Sequence, residues 1–326
     1  MTVGGRRVKT VDVHAHIAVS DALVDVVKGT PLEAAVRGQM NGNLAMSDAR
    51  LRAMDAQGID VEIVTINTYW YGADRSLAER FIPAQNEALA RVCAAHPDRL
   101  LPMASVALQH PELAADQLQH AVETFRMRGA GIFPTVNGAE LASPQFDPFW
   151  ARAESLGVMI FIHPQGVPEL RDRLQGNGFL GNVIGNPLET TIALSHLIFD
   201  GTLDKFPGVK IIAAHAGGFL PSYAGRSDFG CPTRPDLCPG GPHGPIKKKP
   251  SEYMKQLYYD TMVFNPEGVR HLVNEVGAGR LLVGTDFPYP WTTTAVDLIL
   301  QTPGLSDADK TAILGGTAAQ LLGIKA

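Results

Sequence analysis

Two histidines, His14 and His16, close the apolar run VKTVDVHAHIAV at residues 8–19, with only Ala15 between them. Side chains on a strand alternate faces, so residues two apart point the same way. On a strand both imidazoles therefore aim at one spot. Asp12 shares their face, deeper along the strand, while Ala15 faces away. Two neutral imidazoles converging on one point make half of a metal site. Taken alone, the pair could equally be two unrelated histidines at a strand end. Three other apolar runs end in similar chemistry: VMIFIHPQG in His163, KIIAAHAGG in His215 and LLVGTDFPYP in Asp286. Chance is a poor account of metal-competent or acid–base side chains at all of these ends.

These side chains need a scaffold that gathers strand ends. Runs rich in Val, Ile and Leu predict strands at 8–13, 61–66, 101–106, 130–133, 158–162, 209–214, 257–260 and 281–285. Several are apolar throughout, as expected of parallel strands covered on both faces. Helical patterns separate them. Ser47 is placed to cap SDARLRAMDAQG, with Gly58 as its stop. Eight strands alternating with helices predict an α/β fold of the (β/α)8 TIM-barrel type, in which active sites form at the C-terminal ends of the strands. An open doubly wound sheet is the competing fold. The glycine-rich dinucleotide loop that would favour it is absent after the first strand. One domain over residues 1–326 is expected, with long βα loops at 17–46 and 227–250. The second loop is dense in Pro and Gly and reads as holding no regular element. No internal repeat is evident.

Composition excludes several classes. The 326 residues are 45% hydrophobic and 19% charged, with a formal net charge of −5. The cluster Lys247, Lys248, Lys249 is too short to imply nucleic acid. The chain has three cysteines, too few for a disulfide scaffold at this length. It carries neither a signal-peptide pattern nor a stretch of about 18 apolar residues. The expectation is a cytoplasmic protein with no membrane and no nucleic-acid partner. Cys231, Cys238 and His243 could suggest a second zinc site, but their spacing is poor for one.

The motifs DVHAHI, MDAQGIDVEIV, FIHPQG, HAGGFLPSYAGRSD, PSEYMKQLYYDT, VFNPEGVRHLV and LLVGTDFPYP, in this order and spacing, span nearly the whole chain. The sequence resembles the amidohydrolase superfamily (amidohydrolase-related family 2), in the branch of α-amino-β-carboxymuconate-ε-semialdehyde decarboxylase. By that resemblance His14, His16, His163 and Asp286 are metal ligands. They would hold one divalent ion per chain, Zn2+ first and Mn2+ second. The lysine that bridges two metals in binuclear members is missing from GIFPTVNG after the fourth strand, which favours a mononuclear site. His215 matches the catalytic histidine, expected to activate the metal-bound water, and Asp286 is expected to shuttle protons as well as ligate. Arg226 matches an arginine that binds a substrate carboxylate across a dimer interface, in keeping with the bidentate fork of a guanidinium. A surface pairing of Arg226 with Asp228 is the plainer alternative. A second carboxylate-binding arginine, expected before MDAQG, is missing, and Arg37 is a weak stand-in.

Aromatic residues after the second strand (Tyr69, Trp70, Tyr71) and the eighth (Phe287, Tyr289, Trp291) are expected to wall a pocket for a flat substrate, Trp70 and Phe287 above all. The implied activity is a metal-dependent, non-oxidative decarboxylase, a lyase of aromatic-compound catabolism. It would act on a small unsaturated or aromatic carboxylate as a homodimer. A hydrolase or hydratase on the same metal-bound hydroxide is the alternative, and a non-catalytic metal-binding barrel is the third reading.

Overall fold

The structure, a computed structural model, describes residues 1–40, 43–240 and 242–324. Residues 41, 42 and 241, within the two long loops, and the terminal pair 325–326 of the expected domain lie outside the described residues. The apolar runs form parallel strands: β1 Val11–His16, β2 Val61–Thr65, β3 Leu100–Pro102, β4 Gly129–Ile132, β5 Met159–Ile162, β6 Lys210–Ala213, β7 Tyr258–Asp260 and β8 Leu281–Leu282. They group into two sheets, β1-β2-β3 and β4-β5-β6-β7-β8. Parallel bridges join the sheets at both edges, Ala104 to Ala130 and Asp12 to Val283. At the second seam the Val13 amide donates to the Val283 carbonyl (2.9 Å), that of Asp286 to His14 (2.8 Å) and that of His16 to Phe287 (2.6 Å). The strands thus close in chain order into the eight-stranded barrel that the sequence predicts.

Helices follow the strands in turn: α1 Asp48–Gln57, α2 Arg75–Ala94, α3 Pro111–Phe125, α4 Asp147–Leu156, α5 Asn186–Phe199, α6 Ala224–Thr233, α7 Pro266–Val276 and α8 Thr317–Leu322. Their starts are written locally. Asp74 caps α2 by accepting the Leu77 amide at 2.8 Å, and Asn265 caps α7 through Gly268 at 2.8 Å, satisfying amides that lack a helical partner. Ser47 stands at the start of α1 with extended backbone, and Gly58 ends the helix in the left-handed conformation. The serine side chain makes no capping bond, so it terminates the helix by backbone geometry alone. A large apolar cluster fills the space between strands and helices. A second cluster, including Ile63, Met159, Phe161 and Ile212, packs against Leu322 of α8.

The long loops are more regular than expected. Residues 17–46 carry short helices at Val24–Val27 and Glu33–Gln39. The Pro- and Gly-dense segment 227–250 is entered by α6 and holds a short strand, Pro242–Pro245. Pro232 is tolerated because it sits at the helix's end. A Cys231–Cys238 disulfide (Cα–Cα 5.4 Å) and two hydrogen bonds from Ser251 to Asp228 (2.9 and 2.7 Å) pin the segment. Oxidised together, these cysteines offer no thiolate to a second zinc site.

Candidate metal centre

Strand alternation delivers the side chains that the sequence singles out. His14 and His16 project from the end of β1, His163 follows β5, His215 follows β6 and Asp286 lies beyond β8. One potential donor atom from each of His14, His16, His163 and Asp286 falls within 4.8 Å of the others. His16 Nε2 lies 2.8 Å and His14 Nε2 3.2 Å from Asp286 Oδ1. The rings of His14 and His16 have centroids 5.1 Å apart, and His163 sits 5.0 and 4.6 Å from them.

Buried atoms test whether a metal suits this place. His14 Nε2, both ring nitrogens of His16 and of His163, and Asp286 Oδ1 are buried without a hydrogen-bond partner. Each such group costs about 1–3 kcal/mol when left unmade. Lone pairs crowded this closely repel unless a proton or a cation stands between them, and one divalent cation at their focus would satisfy all of them together. Three imidazoles and one carboxylate suit a first-row divalent ion.

Asp260, at the end of β7, orders this arrangement. Its Oδ2 accepts from the His14 ring at Nδ1 (2.7 Å) and from the His215 amide (2.8 Å). Its Oδ1 accepts from the amides of Ala216 (2.8 Å) and Met262 (3.1 Å). A proton held on Nδ1 leaves Nε2 of His14 as the lone-pair atom facing the cluster. Asp12 plays the equivalent part for the backbone, accepting from the His14 amide (2.9 Å) and the Thr285 hydroxyl (2.5 Å). Behind it, buried Arg50 bonds Glu62 (2.7 Å) and the His16 carbonyl (2.8 Å), and its guanidinium lies 4.9 Å from the centre of the Phe287 ring.

Electrostatics follow from this crowding. Burial opposes charge on His14, yet Asp286 and Asp260 raise its pKa, so a cation taking Nε2 as a ligand would displace a proton from it. Burial, reinforced by the neighbouring rings, drives His163 well below the usual imidazole range, and burial also lowers His16. Burial works to raise Asp286, but the imidazoles around it hold it far below the carboxylate range. Desolvation raises Asp12 to about 7, with Glu62 adding to it.

His215 is held by an unusual turn. Residues 215–218, HAGG, all have positive φ, at 54°, 59°, 73° and 65°. The first two states are costly outside glycine, and Asp260 stabilises both through their amides. Glycine is required at the others. A Cβ on Gly217 would stand 2.6 Å from the Tyr259 ring, and one on Gly218 would stand 2.0 Å from the Pro187 carbonyl. The turn leaves the His215 side chain 12% exposed, with Nε2 3.9 Å from Asp286 Oδ2.

A cavity of about 550 Å³ opens over His163 and Asp286, walled by Asn67, Phe179, Asn182, Asn186, Tyr289 and Trp291 among others. No lysine or arginine is among its lining residues. Of the six expected wall residues only Tyr289 and Trp291 line it; Tyr69, bonded to Gln85 at 2.8 Å, the buried Tyr71, Trp70 and Phe287 do not. Trp70 is buried in the core, its indole donating to the Val106 carbonyl at 2.8 Å. Phe287 packs under the Arg50 guanidinium. The hydrogen bond and the cation–π contact hold each aromatic away from the cavity. Arg226 is exposed on α6 and forms no ion pair within the described chain. Its supposed partner, Asp228, is committed to Ser251. Arg37 is paired with Glu33 at 2.9 Å on the surface. Sequence reasoning missed Asp260, although LYYD ends a strand in an acid just as LLVGTD does. It also missed Asn67, Asn182, Asn186 and Phe179, which come from loops with no readable period.

Fold and cluster together define a barrel of a known class with a potential metal site: the chain belongs to the amidohydrolase family, whose profile matches residues 11–324. Among its relatives is the 2-amino-3-carboxymuconate-6-semialdehyde decarboxylase of Dictyostelium discoideum, 28% identical over 88% of this chain and 79% of that protein. The gamma-resorcylate decarboxylase of Rhizobium sp. (strain MTP-10005) is 30% identical, over 86% of this chain and 87% of its own. Among solved structures, the dihydroxybenzoic acid decarboxylase of Polaromonas sp. JS666, with bound manganese and the inhibitor 2-nitroresorcinol, superposes with a TM-score of 0.82. It is 27% identical and covers 98% of each chain. The fold of 5-carboxyvanillate decarboxylase from Sphingomonas paucimobilis matches with a TM-score of 0.85 at 23% identity, over 98% of this chain and 100% of that one.

Proposed function

We propose that this chain is a divalent-metal-dependent, non-oxidative decarboxylase of an aromatic carboxylic acid, residues 1–326 acting as one domain. The observation that carries this reading is the unpartnered donor set of His14, His16, His163 and Asp286, buried at the foot of a cavity walled by aromatic rings and amides. The family relationship and the decarboxylases among its relatives support it.

When bound, the ion supplies Lewis acidity that anchors and polarises the oxygens of the acid. The protein's own residues do the rest. Phe179 and Trp291 give the cavity apolar ring surface against which an aromatic acid can pack. Asn67 donates to Tyr289 Oη at 3.1 Å, which steadies both side chains in the cavity wall. His215 and Asp286, 3.9 Å apart, form the proton-handling pair. A proton is added at the ring carbon bearing the carboxylate. The carbon–carboxylate bond then breaks, its electron pair restores aromaticity, and CO2 leaves. The sum is one proton exchanged for one CO2, with no oxidant or reductant.

Because no cation lines the cavity, Arg226 is assigned to the site of a second copy, making the working unit a homodimer. Zinc fits the ligand chemistry, and manganese is the ion in the Polaromonas relative. Among the described residues no helix is long and apolar enough to cross a membrane, which suits a small dissolved substrate.

The test is metal analysis followed by CO2 release from a panel of hydroxybenzoates, with His215→Ala beside the wild type. One ion per chain in both proteins is expected, with turnover falling at least about 100-fold in the variant. A product carrying a new carboxylate, without CO2, would transfer the site to hydrolysis. Absence of metal from the wild type would end the reading.

A further inference from the structure

Behind Trp291 lies a second cavity, of about 350 Å³. It shares Asn182 and Trp291 with the first. His215 stands in its wall, so both cavities reach the reacting end: the first at His163 and Asp286, the second at the proposed proton-handling histidine. The remaining walls include Val183, Pro187, Phe219, Met262, Val263 and Phe264, and no lysine, arginine, aspartate or glutamate is among the lining residues. Such a lining favours hydrocarbon over any charged group.

The partition between the cavities is held in place. Trp291 stacks with both Phe179 and Phe264, each ring centroid 6.1 Å from its own and the planes inclined by 17° and 24°. Both phenylalanines are exposed, at 66% and 49%. Both also adopt the left-handed backbone, with φ of 55° and 56°. That state is uncommon and costly for a bulky residue, and such strain concentrates at ligand clamps and active sites. Here it lays two exposed rings against one tryptophan, which stands between two cavities.

We propose that the second cavity is an apolar subsite that takes an alkyl or aryl substituent of the substrate ring, with Trp291 as the wall separating that substituent from the ring in the first cavity. The inference rests on the decarboxylase reading and narrows it. The preferred acid carries a hydrocarbon group near its carboxylate, so the chain discriminates by substituent as well as by ring.

The experiment uses 2-hydroxybenzoates bearing hydrogen, methyl, ethyl or propyl at each open ring position. Binding to the manganese-loaded protein is read from tryptophan fluorescence, since Trp70 and Trp150 are fully buried and Trp291 alone is not. CO2 release is read in parallel. At one ring position, affinity and kcat/KM should each rise about fourfold per added carbon. The propyl-to-hydrogen ratio should collapse towards one in Val183→Trp, a half-exposed position where the indole fills the cavity. Phe264→Ser, at an exposed position, should lower the same ratio by removing a wall. Equal affinity for all chain lengths at every position would overturn the subsite, as would a ratio unchanged in both variants. Binding that climbs with chain length while no CO2 appears would sink the decarboxylase reading and leave the subsite standing.

Discussion

The carboxylate of Asp260 accepts four hydrogen bonds, one from the His14 ring and three from backbone amides that include those of His215 and Ala216. An amide in its place turns one acceptor oxygen into a donor that faces other donors. Asp260→Asn is therefore expected to weaken metal binding by about 10–100-fold, measured as a dissociation constant against a competing chelator. Unchanged affinity would show that His14 needs no partner. A second residue titrates in a useful range. Burial raises the Glu189 pKa to about 7, opposed by the Gln165 and Gly166 amides and aided by the charges of Glu169 and Glu140. A raised carboxylate means that the folded state holds its proton longer than the unfolded chain does. Stability should thus fall as pH rises from the ordinary glutamate range to about 7, then level off, an effect of about 3 kcal/mol at most. Glu189→Gln keeps an acceptor for both amides and should flatten that slope in urea titrations between pH 5 and 7. At this scale the sequence disclosed what a period of two can disclose: two histidines on one face, and ends of strands carrying His or Asp. It did not disclose Trp70, because an aromatic after a strand can turn inward as readily as outward, and only the Val106 carbonyl decided which.

Elements were legible where apolar runs met clear stops. The eight strands lie within a few residues of their expected places, and α1 ends at Gly58 as its left-handed cap requires. The segment 227–250 was not legible, because proline and glycine counts describe local preference, whereas a disulfide and the Asp228–Ser251 bonds are long-range facts. The HAGG turn shows the opposite relation, since its two glycines report real steric limits. Gly218→Ala would drive a Cβ to 2.0 Å from the Pro187 carbonyl at φ 65°. It is expected to destabilise by more than the roughly 1 kcal/mol of an ordinary glycine effect, seen as a lowered melting temperature even without metal. A normal melting temperature would mean that α5 can shift away from the turn.

On the scale of the molecule, Arg226 stands apart. It projects from α6, which begins in the HAGGFLPSYAGRSD segment that holds His215, and it meets no carboxylate within the described chain. If it serves a neighbour's cavity, Arg226→Ala should raise KM at least about 10-fold, the scale of a lost charge-assisted hydrogen bond, while metal content stays constant. Mixing it with His215→Ala protein should restore part of the activity, because hybrid dimers contain one intact site. Mixtures no better than the sum of their parts would confine each site to one chain.

The barrel's closing seam runs through the same place. The first strand and the last join by the Asp12–Val283 bridge and by amides at Val13, His16 and Asp286, and the potential ligands stand on both sides of that join. His14 and His16 come from the first barrel strand and Asp286 from just beyond the last, so an ion bound between them would act as a clasp on a bracelet. Folding and loading would then be one thermodynamic account: whatever tightened the grip on an ion would also hold the first and last barrel strands together, and a chelator would loosen the architecture as well as the chemistry.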